Sequence, residues 1–167
     1  DFDDILAGTE ARDEWDRDVL TSYRRGRLSS FLEIADRAPF WGSRFEEYGV
    51  DPSGERPFDE LSKLPILTKN EVKQAGESLI PPTFQDDTVY DCHTSGTTGS
   101  GLQFVETREA LQEQWAIWWR YWRRLGTDRE TWCGYFGGRP IVPPEQEEPP
   151  YWRVNYPGRK IMFSTYH

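Results

Sequence analysis

The sequence predicts an α/β protein with a helical lead-in. Three observations carry that expectation. Through residues 1–49, apolar side chains recur near a 3.6-residue period among charges. From residue 88 onward, short β-branched and aromatic runs alternate with one long amphipathic helix. Between the first such run and that helix, every residue from Thr94 to Ser100 is Thr, Ser or Gly. The chain therefore divides into a mostly helical lead-in, residues 1–86, and an α/β portion, residues 87–167.

In the lead-in, Glu10 to Arg25 carries Trp15, Val19, Leu20 and Tyr23 at helical spacing, and Gly26 weakens the helix there. A second helical segment, Leu28 to Ala35, ends before Pro39. A third, Phe40 to Tyr48, closes at Gly49, a residue type that ends helices in a left-handed conformation. Residues 50–65 form a turn-rich connector with Pro52, Gly54, Pro57 and Pro65. Thr68 and Glu71 have capping-box spacing and open a short helix to about Gln74.

In the α/β portion, Thr88 to Cys92 reads as a strand that leads into the Thr/Ser/Gly run, and Leu102 to Glu106 as a short β run after it. Thr107 caps a helix to Leu125, with Gly126 just beyond. Thr131 to Phe136 and Lys160 to Ser164 read as strands, with a Pro- and Glu-rich loop over 139–150. Leu111, Trp115, Trp118, Trp122 and Leu125 share one helical face, and core packing is the expectation for that stripe. Arg120, Arg123 and Arg124 lie off it, on a polar face. Cys92 and Cys133 are expected to be buried strand residues.

The bulk numbers bound the function. Hydrophobic content is 36%, yet aromatics reach 15% and include eight tryptophans, so few residues can build a core. A net charge of −9 argues against nucleic acid or an anionic membrane as the partner. A local anion site is still compatible with it, because backbone amides need no net positive charge. Two cysteines make neither a disulfide framework nor a metal spacing, which points to a reducing, cytoplasmic setting. No apolar run approaches the roughly 20 residues of a membrane span. The chain starts at Asp1 and stops at His167, and both ends are expected to be internal points of a longer chain.

Thr94, Ser95, Gly96, Thr97, Thr98, Gly99 and Ser100 are the candidate phosphate-binding residues. Glycines let the backbone bend and a ligand approach the amides; successive N–H groups and hydroxyls then cup an anion. An ordinary surface turn has the same composition. Gly96 and Gly101 have P-loop spacing, but Leu102 and Gln103 stand where that motif needs Lys and Ser/Thr. The dinucleotide fingerprint fails too, since Phe104 occupies the place of its third glycine.

Ser95-Gly96-Thr97-Thr98-Gly99 resembles the phosphate-binding signature of the adenylate-forming superfamily. Upstream, Ala38-Pro39-Phe40-Trp41, the segment from Phe45 to Pro52 and the segment from Phe58 to Lys69 resemble one branch of it. That branch holds the phenylacetate–CoA ligases and the related capsular-polysaccharide biosynthesis proteins. Leu102, at a position the superfamily usually gives to lysine, and Phe136-Gly137-Gly138-Arg139 are closer to the polysaccharide-associated subgroup. The resemblance covers roughly residues 28–167. It implies the first strand–loop–helix units of a large adenylation domain, left incomplete here. It also implies a reaction: a carboxylate attacks the α-phosphate of ATP, pyrophosphate leaves, and the acyl group passes to coenzyme A or another thiol.

By the same resemblance, residues 94–100 hold the β- and γ-phosphates, with Mg2+ as the companion ion and no assignable protein ligands for it. No catalytic residue falls within this chain; those would lie beyond His167, in the C-terminal part of the same enzyme. His93, Gly137, Gly138 and Arg139 are candidate substrate-pocket residues. His93 is equally readable as structural, and Gly137 to Arg139 as a simple turn. The partners implied are a nucleotide and a small carboxylic acid. The alternative is a nucleotide-binding or interaction module in polysaccharide biosynthesis that kept the loop and lost the chemistry.

Overall fold

A computed structural model describes residues 1–84, 89–94, 101–138 and 140–167. The chain separates into two compact units, residues 1–114 and 115–167. The division falls inside a helix, whereas the expected boundary at 86/87 lies among residues outside the described set.

The first unit is helical before it is β. α1 (Phe2–Ala11) starts at Asp1, whose carboxylate accepts the N–H groups of Asp3 and Asp4. α2 (Arg17–Ala35) starts at Asp16, which accepts from Asp18 and Val19 in the same way. Such caps satisfy N–H groups that the first helical turn leaves without partners. α2 runs through Gly26 without a break, which corrects the two-segment expectation. A glycine costs a helix interior about 1 kcal/mol, too little to break a long, capped helix.

α3 (Pro39–Tyr48) opens with Pro39 in its first turn, where a missing N–H costs nothing. It closes at Gly49, whose φ of 62° is left-handed, and Val50 N–H then donates to the Phe45 carbonyl at 2.9 Å. α4 (Pro57–Ser62) follows. Lys63, just after it, donates to the Gly49 carbonyl at 2.8 Å and to Glu60 at 2.6 Å, placing a cation at the C-terminal end of α3. The Lys63 hydrogen bond, and then one from the Asp51 N–H, hold the Glu60 carboxyl below its usual range.

α5 (Lys69–Ala75) has the expected capping box. Thr68 accepts from Glu71 N–H, and Glu71 accepts from both Thr68 N–H and hydroxyl. These bonds, with a contribution from Arg44, lower the Glu71 pKa. The core of the unit sits under the helices: Leu32, Ala35, Phe45 and Val50 form one buried cluster, with Leu28, Trp41 and Leu64 packed against it.

β1 (Val89–His93) and β2 (Gln103–Thr107) then pair antiparallel, His93 opposite Gln103 and Val89 opposite Thr107. The Thr/Ser/Gly run therefore joins two strands of a hairpin. The strand order around the run is the expected one, and the helix is entered from β2, as the sequence predicts. α6 (Arg108–Arg124) begins where Ala110 N–H donates to Thr107 Oγ1 at 3.2 Å. It ends at Arg124, one residue before the expected Leu125, with Gly126 just beyond at φ 80°.

The second unit takes the rest of α6 and a three-stranded sheet of β3 (Cys133–Phe136), β4 (Trp152–Asn155) and β5 (Lys160–Phe163). The order is β3-β5-β4, with β3 parallel and β4 antiparallel to β5. β4 falls in a stretch, 151–159, for which the sequence pattern predicts no element. By register, Trp152, Phe163 and Phe136 share one row and one face. Phe136 and Phe163 stack 4.8 Å apart, 7° from coplanar. On the other face, the Lys160 ammonium lies 5.6 Å from the Trp122 ring of α6.

Two packing expectations are overturned. The α6 stripe is mostly open: Trp115 is 43% exposed, Trp118 50% and Leu125 65%, with Leu111 and Trp122 half-buried. The covered side centres on Ala116, fully buried, with Trp119 and Arg120 half-buried beside it. The buried face is thus rotated from the stripe by about one residue. Cys133 is exposed rather than buried, and Cys92 is half-buried. No helix among the described residues is long and apolar enough to cross a membrane.

Candidate functional site

The described part of the candidate phosphate loop is its neck. Thr94 continues β1 by one residue, and its N–H donates to the Leu102 carbonyl at 2.9 Å. Leu102 N–H returns a bond of 2.9 Å to Thr94 Oγ1, a side-chain atom, where a regular ladder would use the main-chain carbonyl. That carbonyl lies instead against Gly101: a Cβ built on Gly101 would fall on the Thr94 oxygen. The run thus leaves and re-enters the hairpin at one closed point. Ser95, Gly96, Thr97, Thr98, Gly99 and Ser100 lie outside the described residues.

Of the other candidates in the first unit, His93 is exposed at the end of β1, opposite Gln103. Cys92, its neighbour on the strand, has its thiol pKa raised, first by partial burial and then by the Glu106 carboxylate.

Gly137 and Gly138 belong to the second unit and follow β3 directly. Their carbonyls are both engaged by the segment after β5: Thr165 Oγ1 donates to Gly137 at 3.1 Å and Tyr166 OH to Gly138 at 3.2 Å. A Cβ at Gly137 would meet the Tyr135 ring. Ser164 N–H donates to the Tyr151 carbonyl at 2.8 Å, and the His167 ring stacks on Tyr151 at 4.6 Å. This cluster lies at the carboxyl ends of the parallel pair β3 and β5, the end of a parallel sheet where ligands collect. The sequence pattern singles out the two glycines but not Tyr151, Ser164, Thr165 or Tyr166 as site residues. Their signal is positional: Tyr151 directly precedes β4, and Ser164, Thr165 and Tyr166 directly follow β5. Arg139 lies outside the described residues. Among the described residues, no group of three or more His, Cys, Asp or Glu side chains is placed to hold a metal ion.

No family model matches the chain. Over 107 residues it is 26% identical to Protein CapK of Staphylococcus aureus, a match that covers 64% of this chain and 23% of that protein. The chain thus spans about a quarter of the length of the curated relative it matches.

Proposed function

We propose that this chain is the phosphate-holding part of an AMP-forming ligase. Such an enzyme activates a carboxylic acid with ATP and passes the acyl group to coenzyme A or another thiol, here in the service of polysaccharide biosynthesis. The observation that carries the reading is the closed neck at Thr94, Gly101 and Leu102, which gathers the ends of the Ser/Thr/Gly run to one point. The similarity to Protein CapK favours the polysaccharide-associated side of the reading.

The donor set suits a polyphosphate held by neutral groups. Ser95, Thr97 and Thr98 would donate through hydroxyls, and Gly96 and Gly99 would admit the phosphates to the amides. Charge-assisted bonds of this kind contribute about 1.5–3 kcal/mol each. Mg2+ would supply the charge neutralisation that Leu102 does not. The Arg139 guanidinium is of a type suited to the carboxylate of such an acid. The functional setting is cytoplasmic.

The test is acid-dependent ATP–pyrophosphate exchange on the intact protein, across aryl and aliphatic acids. Exchange with at least one acid is expected. Gly96→Val should abolish Mg·ATP binding and leave the circular dichroism spectrum unchanged. A protein that neither binds Mg·ATP nor exchanges pyrophosphate refutes the reading. Residues 1–167 alone should release no pyrophosphate with any acid. Leu102, which removes a cation from the loop, favours a second reading: a nucleotide-binding module without ligase chemistry. Tight Mg·ATP binding with no exchange would select it.

A further inference from the structure

We propose that Thr94 is a positioning residue, whose hydroxyl latches the neck of the hairpin and sets the span from which residues 95–100 depart. Its value for nucleotide rests on the phosphate-loop reading; its value for the hairpin does not. Three observations converge. The Thr94 N–H is already spent on the Leu102 carbonyl, so that amide is withdrawn from any anion. The Leu102 N–H goes to the Thr94 hydroxyl and not to its carbonyl, which ends the ladder at this pair. The freed carbonyl turns toward Gly101, where no side chain fits.

The latch makes separate demands on three positions. Position 94 needs a hydroxyl on Cβ, which Thr and Ser supply. Position 101 must lack a Cβ. Position 102 contributes only its backbone N–H and C=O, so its side chain is free to vary, and leucine meets the need. Thr94 thus acts on the span between the two strands, through its hydroxyl and not through its amide.

The experiment measures two quantities on the intact protein and on Thr94→Val, Thr94→Ser and Gly101→Ala. One is exchange of the Leu102 amide hydrogen without nucleotide. The other is the Kd of Mg·ATP. Protection of amides in α2 reports whether each variant is folded. In Thr94→Val the Leu102 amide should exchange about 2- to 10-fold faster, the loss of one ordinary hydrogen bond. Mg·ATP should then bind at least several-fold more weakly. Thr94→Ser should match the wild type in both. Gly101→Ala keeps the hydroxyl but displaces the neck, and should weaken nucleotide as Thr94→Val does. An unchanged Leu102 exchange rate in Thr94→Val overturns the latch. Faster exchange with unchanged Mg·ATP affinity overturns its positioning role. If the wild type binds no Mg·ATP, the phosphate-loop reading fails, and the exchange rates alone decide the latch.

Discussion

Leu32→Ala tests the helical core of the first unit. Leu32 is 1% exposed and sits in the cluster with Ala35, Phe45 and Val50. The substitution removes three carbons, at about 0.8 kcal/mol for each buried CH2, or roughly 2.4 kcal/mol of transfer free energy. The cavity left among Phe45, Val50 and their neighbours adds to this, so a loss of about 3 kcal/mol is expected. Phe31, one residue earlier on the same helix, is 61% exposed. Phe31→Ala should stay within about 0.5 kcal/mol. Urea unfolding followed by circular dichroism reads both, with tryptophan fluorescence as a second probe because Trp41 packs on the cluster. The midpoint should fall for Leu32→Ala with the slope unchanged. Equal losses for the two variants would refute the assignment of this face of α2 as the buried one.

Two further outcomes follow from the side-chain chemistry. Glu60, Glu71 and Asp128 all have pKa values below their ordinary ones: Glu60 chiefly through Lys63, Glu71 through Thr68, and Asp128 through Thr131. A lowered folded-state pKa contributes stability above the unfolded value, which is lost as pH falls through the folded one. Stability should therefore be level above about pH 5 and decline below the ordinary Glu value of 4.5; urea midpoints against pH should show a shallower decline for Glu71→Gln. Iodoacetamide should modify Cys133 before Cys92, because Cys133 is exposed while burial and Glu106 hold the Cys92 thiol protonated. Mass spectrometry of the timed digest reads the order, and faster labelling of Cys92 would contradict the strand environment described.

What could be read from the sequence was local. Gly49 at the end of α3, Thr68 with Glu71 at the start of α5, and Thr107 before α6 each solve a hydrogen-bonding problem within a few residues, and each took the expected conformation. What could not be read depended on partners. Gly26 weighs against a helix in isolation but not within a long helix packed through Leu28, Leu32 and Ala35. The tryptophan stripe on α6 has the right spacing for burial, but spacing does not say which face is covered, and the covered one centres on Ala116. β4 was missed because the Pro-rich stretch before it reads as loop. Yet Tyr156-Pro157-Gly158-Arg159 between Trp152–Asn155 and Lys160–Phe163 is a turn signal between two β-type runs. For the candidate site, the Thr/Ser/Gly composition announced itself, whereas the roles of Thr94 and Gly101 required knowing that the two flanking runs pair with each other.

The strand order of the second unit has a consequence for biogenesis. β4 and β5 are neighbours in sequence and join through a tight turn, so they can assemble as soon as both have left the ribosome. β3 is made earlier but has no place to dock until β5 exists, since its ladder runs from Cys133 opposite Lys160 to Phe136 opposite Phe163. During that interval an early-synthesised strand bearing Tyr135 and Phe136 waits unpaired. The exposed aromatic edge makes this a window for association with other nascent chains.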